Sequence, residues 1–218
     1  MLSWFSPAFP TGAFAYSHGL ERAVEEGLVT SAPDLEAWVR TVLRAGGGWN
    51  DAVLFVVAWR ATLDPAPTRL EEIDALARAC RGTAELALES EAQGTAFLAT
   101  VRAGWPAPAL EAAASGLSEA VALPVAAGVA CATHGVSLDA ALRAYLHATA
   151  ANLVSAGVRL IPLGQTDGQR VLAALEADLL AVAARAAGAT LDDLGSAALG
   201  VDVASMQHET QYTRLFRS

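Results

Sequence analysis

The sequence predicts an all-α, single-domain protein of eight to ten helices. Three observations lead there. Apolar residues recur at helical spacing along almost the whole chain. Glycine and proline clusters and capping pairs interrupt that pattern about once per helix length. No stretch between turn signals alternates polar and apolar residues over the length of a strand. With 218 residues the chain can bury a full core, and no linker is long enough to divide it.

Pro7 and Pro10 fix φ and push the residues before them into extended conformations. A helix is expected from about Gly12–Phe14 to Gly27. Leu35, Trp38, Val39, Val42 and Leu43 then form one apolar stripe; Ser31 and Asp34 make a capping box before it, and Gly46-Gly47-Gly48 ends it. Asn50 is placed to cap the next helix, which runs to Leu63 and stops at Asp64-Pro65-Ala66-Pro67. Thr68 with Glu71 caps a region that continues, with a break at Gly82, to Gly104. Trp105-Pro106-Ala107-Pro108 breaks the chain again. Weakly patterned helices follow over Ala109–Ala122 and Pro124–His134. Ser137 opens a long helix that ends near Leu160, before Ile161-Pro162. Thr166 with Gln169 caps one more, running to about Ala187 ahead of Gly188, and a short helix starts at Thr190. Residues 1–199 form the helical domain, and residues 200–218 a C-terminal tail.

The composition narrows the function. The apolar fraction is 54% and the charged fraction 17%, with all basic residues arginine. A net charge of −9 argues against a nucleic-acid partner, which needs a basic face, and against binding to anionic lipid. Cys80 and Cys131 make no disulfide framework and suit a reducing, cytoplasmic setting. No basic residue precedes Arg22, so a secretory leader is not expected. The longest uncharged apolar run that also lacks His and Asn, near Ala120–Thr133, contains Pro124 and falls short of the ~20 residues that span a membrane.

Three islands stand out from the alanine-rich background. The first is Ser6–Glu21, in which His18 and Glu21 fall at i, i+3 of the expected helix. They are an acid–base or metal pair on one reading and a solvated pair on the plainer one. The second, Leu163–Arg170, joins two helices with polar residues, among them Gln165 and Arg170. It lacks the Gly-Lys-Ser/Thr ending of a phosphate loop. The third is Gly200–Ser218, with His208, Tyr212, Arg214, Leu215, Phe216 and Arg217 packed near its end. Tyr and Arg are residue types in which binding energy concentrates. This segment is either a docked helix that closes the core or a partner-binding tail. Cys131 and His134, at i, i+3, form a possible metal pair, but His134 before Gly135 is better explained as a helix C-terminal residue.

In order along the chain, these islands resemble the UreF family of urease accessory proteins. The resemblance rests on Tyr16-Ser-His-Gly-Leu-Glu21, Pro124–Gly128, Tyr145-Leu-His147, Asn152–Ala156, Leu163–Arg170 and His208–Ser218. Members often carry several residues before the segment that begins here at Leu2. The resemblance implies an all-helical, non-enzymatic scaffold without a cofactor of its own. It implies a homodimer that binds UreD (also called UreH), recruits the GTPase UreG and delivers nickel to apo-urease. Tyr16, Glu21, Gln165, Arg170, His208, Tyr212, Arg214, Leu215, Phe216 and Arg217 are the expected partner-binding residues. Further expectations are that Glu21 modulates the GTPase step, that the tail is mobile until UreD orders it, that Tyr16 then meets Arg214, and that the small residues of Ala148–Gly157 serve the dimer. The rival reading is a small helical enzyme using His18 and Glu21.

Overall fold

The computed structural model describes residues 1–64 and 70–218. Among them the regular structure is entirely helical. The α-helices are α1 (Leu20–Glu25), α2 (Ala32–Ala45), α3 (Gly47–Leu63), α4 (Leu70–Ala79), α5 (Ala84–Gly104), α6 (Pro108–Ala114), α7 (Leu123–Thr133), α8 (Leu138–Leu160), α9 (Gln165–Ala174), α10 (Glu176–Ala186) and α11 (Leu199–His208). Short 3-10 turns lie at Ala13–Ala15 and Leu191–Asp193.

The core is built around α3 and α7; α7 is apolar on all sides and accordingly buried, and α3 is mostly so. Their approach is set by Gly128. A Cβ there would lie 2.6 Å from the Phe55 carbonyl oxygen. Gly94 plays the same part where α5 passes the backbone of Val121–Leu123. On α8, a Cβ at Gly157 would lie 2.5 Å from Leu35 of α2. The Gly157 end of the small-residue stretch Ala148–Gly157, expected to serve a dimer, is therefore occupied within the chain by α2.

Local signals set many helix ends. Ser31 accepts from the Asp34 amide at 3.4 Å, as its spacing predicts. The break near Gly82 is present, and Thr83 caps α5 by accepting from Leu86 N at 3.2 Å. Ser137 precedes α8 as expected, without a side-chain cap.

Elsewhere tertiary contacts overrule local spacing. Asn50 lies inside α3, where Gly46 is the N-cap, and its Oδ1 accepts from Gly195 N at 2.9 Å. The expected helix over Ala109–Ala122 is only the short α6. The cap of α9 is Gly164, held by Asp167 Oδ2 accepting from Gly164 N at 3.1 Å, rather than the Thr166–Gln169 pair. The single helix expected from there to Ala187 divides at Leu175 into α9 and α10. The Pro65–Pro67 stop and the Thr68 cap lie outside the described residues.

Candidate functional site

The first island does not continue as one helix. After the 3-10 turn, Tyr16 is extended, His18 has φ 54° and Gly19 φ 74°. His18 is the one non-glycine residue with positive φ among those described, a conformation that needs support from its surroundings. Gly19 is required twice over. Its φ suits glycine, and a Cβ would lie 2.6 Å from Ser205 N of α11.

This turn starts α1 one residue before Glu21 and separates Glu21 from His18. Their expected i, i+3 pairing is therefore wrong, as is their expected solvation. Glu21 is 8% exposed and His18 is half-buried.

Glu21 turns toward the C-terminal segment. Its carboxylate accepts from Leu215 N at 2.6 Å and from Phe216 N at 2.9 Å, and meets His208 Nε2 at 3.1 Å. His208, fully buried, reaches Glu85 Oε2 of α5 with Nδ1 at 2.6 Å. Arg214 also pairs with Glu85. Charge-assisted hydrogen bonds of this kind are about twice as strong as neutral ones.

A second arm lies one helical turn away. Ser17 donates from N at 2.8 Å and from Oγ at 2.5 Å to the main-chain oxygen of Ser218. Ser218 Oγ donates to Glu89 Oε2 at 2.6 Å, while Glu89 Oε1 meets His18 Nε2 and accepts from Gln93 Nε2, both at 2.8 Å. Arg217 N donates to Ala15 O at 2.8 Å, and Phe216 is buried with the Arg159 guanidinium 4.4 Å from its ring centre. Burial opposes a charge on His18, but the adjoining Glu89 carboxylate outweighs it and holds the imidazole pKa above its ordinary value.

The C-terminal segment is thus the helix α11 followed by a docked strap. Its inner side joins Ser17, Glu21 and α5. Its outer side leaves Tyr212 fully exposed and Leu215 67% exposed. Leu199, Val203 and Met206, at i, i+4, i+7 of α11, are also exposed.

Of the expected site residues, Glu21, His208, Arg214 and the Leu215 and Phe216 amides come together. Tyr16 is buried, and Arg214 is engaged by Glu85. Gln165 and Arg170 remain exposed on α9, where Arg170 pairs with Asp167 at 2.8 Å. The sequence reading missed Ser17, Glu85, Glu89 and Gln93. The last three fall at i, i+4, i+8 of α5, a polar stripe in an alanine-rich helix that was available as a signal.

Below this network, the segment Trp4–Phe14 roofs a cavity of about 460 Å3 over α3, α5 and α8. Its polar floor includes Asp51, Arg81 and Tyr145. Tyr145 donates to Asp51 Oδ2 at 3.0 Å, and Arg81 Nη2 lies 2.7 Å from Asp51 Oδ1. Burial pushes the Tyr145 hydroxyl well above its usual range. For Arg81, burial opposes the charge, and neighbouring Asp51 more than restores it.

The Cys131–His134 pair is structural. Burial pushes the Cys131 thiol up to about 12. His134 meets Ala130 O with Nδ1 at 2.8 Å and Trp105 O with Nε2 at 3.0 Å. Among the described residues no group of three or more His, Cys, Asp or Glu is arranged to hold a metal ion, and no helix is long and apolar enough to cross a membrane.

The model of the UreF family matches residues 29–176. Urease accessory protein UreF of Rhodopseudomonas palustris (strain BisB5) is 52% identical over the whole chain and 90% of its own length. The protein of the same name from Bradyrhizobium sp. (strain BTAi1 / ATCC BAA-1182) is likewise 52% identical over all of this chain and 90% of its own. That of Granulibacter bethesdensis is 51% identical, covering all of this chain and 92% of its own. These relatives align with both termini, where the network lies.

Proposed function

The chain belongs to the UreF family of urease accessory proteins, and from that premise we propose that it is a non-enzymatic urease maturation factor. It acts as a cytoplasmic homodimer that bridges UreD/UreH and the GTPase UreG while nickel is delivered to apo-urease. The observation that carries this reading is the docked C-terminal strap. Buried carboxylates from two helices fix its inner side, while Tyr212 and Leu215, with the apolar face of α11, point outward. A large exposed tyrosine on a fixed backbone suits a partner pocket, because little conformational freedom is lost on contact.

The separation of His18 from Glu21 argues against the small-enzyme reading. Each side chain is committed to a different structural arm. In the maturation reading Glu21 supports UreG recruitment by holding the strap in shape. Gln165 and Arg170 form a separate exposed patch on α9, available to a second partner.

The test is co-purification of the full chain, a Tyr212→Ala variant and a chain lacking residues 207–218 with UreD and UreG. The intact chain should retain both partners. Tyr212→Ala should weaken UreD capture with an unchanged melting temperature, and the deletion should lose the complex. Full capture of both partners by the deleted chain would show that the strap is not the interface.

A further inference from the structure

We propose that the cavity beneath the N-terminal segment binds a small carboxylic acid with an apolar body, its carboxylate received by Arg81. Arg81 has side-chain exposure of 9%, and neither Nε nor Nη2 makes a hydrogen bond within the protein. Asp51 Oδ1 is close enough to Nη2 to form an ion pair but lies off the hydrogen-bond axis, and makes no hydrogen bond either. Guanidinium offers five donors in a planar fork and no acceptor. Arg81 lines the cavity, and a turn of this closed-off fork toward it presents two donors to a planar oxyanion that accepts two at once.

Most other charged atoms of the floor are already engaged. Asp51 Oδ2 accepts from Tyr145, and Glu89 is shared by His18, Gln93 and Ser218. The spare capacity of Arg81 is for an acceptor, and His18, held by Glu89, lines the same cavity. The walls define the rest of the ligand. Phe5, Phe9 and Phe97 line the cavity, with ring centres of Phe5 and Phe9 lying 6.1 and 5.3 Å from that of Phe97. A volume of about 460 Å3 lies in the range of small-molecule pockets. An aromatic or short alkyl acid places its body against these rings while its carboxylate turns to Arg81.

The experiment titrates the full chain with benzoate, with benzamide as the uncharged counterpart and with acetate and bicarbonate as carboxylates or oxyanions without an apolar body. The readouts are calorimetry and the Arg81 Nε–H resonance. Benzoate should bind saturably and move that resonance, with benzamide weaker by at least about tenfold, the loss expected for a charged hydrogen bond. Arg81→Gln should weaken benzoate similarly. Because that change strands Asp51, Phe9→Ala serves as the second variant. It leaves the ion pair in place and should weaken benzoate several-fold without altering the weak response to acetate. Equal binding of benzoate and benzamide would overturn the proposal. So would binding of acetate or bicarbonate as tight as that of benzoate, or an Arg81 resonance that moves with no ligand.

Discussion

At the contact between α3 and α7, Gly128 brings two backbones together until no side-chain atom fits between them. At the joined termini, Glu21, Glu85 and Glu89 reach across the chain to catch amides, hydroxyls, imidazoles and a guanidinium. The first region coheres by close packing, a sum of many weak contacts that is indifferent to salt and pH. The second coheres by a few strong, directional bonds, each open to titration or exchange with a partner. An alanine-rich chain has little apolar area per residue, so close backbone approach compensates in the core. At the termini, where the strap is irregular, carboxylates supply acceptors that secondary structure does not.

The largest expected effect is in the core. Gly128→Ala should lower stability by about 3 kcal/mol, the upper end for overpacking, because the nearest obstacle is the Phe55 backbone. Chemical denaturation should show a cooperative loss, with α3 and α7 amides exposed together. A neutral result would mean that the two helices separate easily and the comparison fails.

Glu21→Ala comes next. It leaves two strap amides and His208 without their carboxylate, a loss of about 1.5–3 kcal/mol by the scale of charged hydrogen bonds. The melting temperature should fall. Hydrogen exchange should accelerate at Leu215 and Phe216 before it does in α3. Uniform acceleration across the molecule would show the termini to be part of the core rather than a separable strap.

The third effect is a pH dependence. The folded-state pKa of His18 is raised, so its ion pair with Glu89 contributes stability that is fully present below about pH 6.5, the ordinary histidine value. That contribution is lost as pH rises through the raised folded value. Protection of the Ser17 amide, which donates to Ser218, should decline over the same interval, and His18→Gln should flatten the decline. The core amides should show no such slope.

The smallest effect is at Arg170. Its pair with Asp167 is exposed, and exposed pairs contribute little. Arg170→Ala should leave the melting temperature unchanged, so any loss in co-purification reports a partner contact directly.

Particular residues show how far the sequence could be read. The apolar stripe from Leu35 to Leu43, the Ser31 cap and the break near Gly82 were legible because their causes lie within a few residues. Glu21, His208 and the terminal motif stood out in the sequence as well, through the resemblance. Their arrangement was not. Reading His18 and Glu21 as neighbours assumed an uninterrupted helix, and the positive φ at His18 and Gly19, where the chain runs against α11, removes that assumption. Asp51, Arg81 and Tyr145 come from three separate parts of the chain, so no local pattern connects them.

By itself, the sequence determined the helical class, many of the helix boundaries and the family. Each depends on periodicity, caps and motifs that act over one or two turns. The tertiary structure alone decided which carboxylate meets which donor, that the C-terminal strap is docked, and that Arg81 faces a cavity. Those pairings join residues more than a hundred positions apart or on separate helices. Their energies depend on burial and on distances that exist only once the helices have packed.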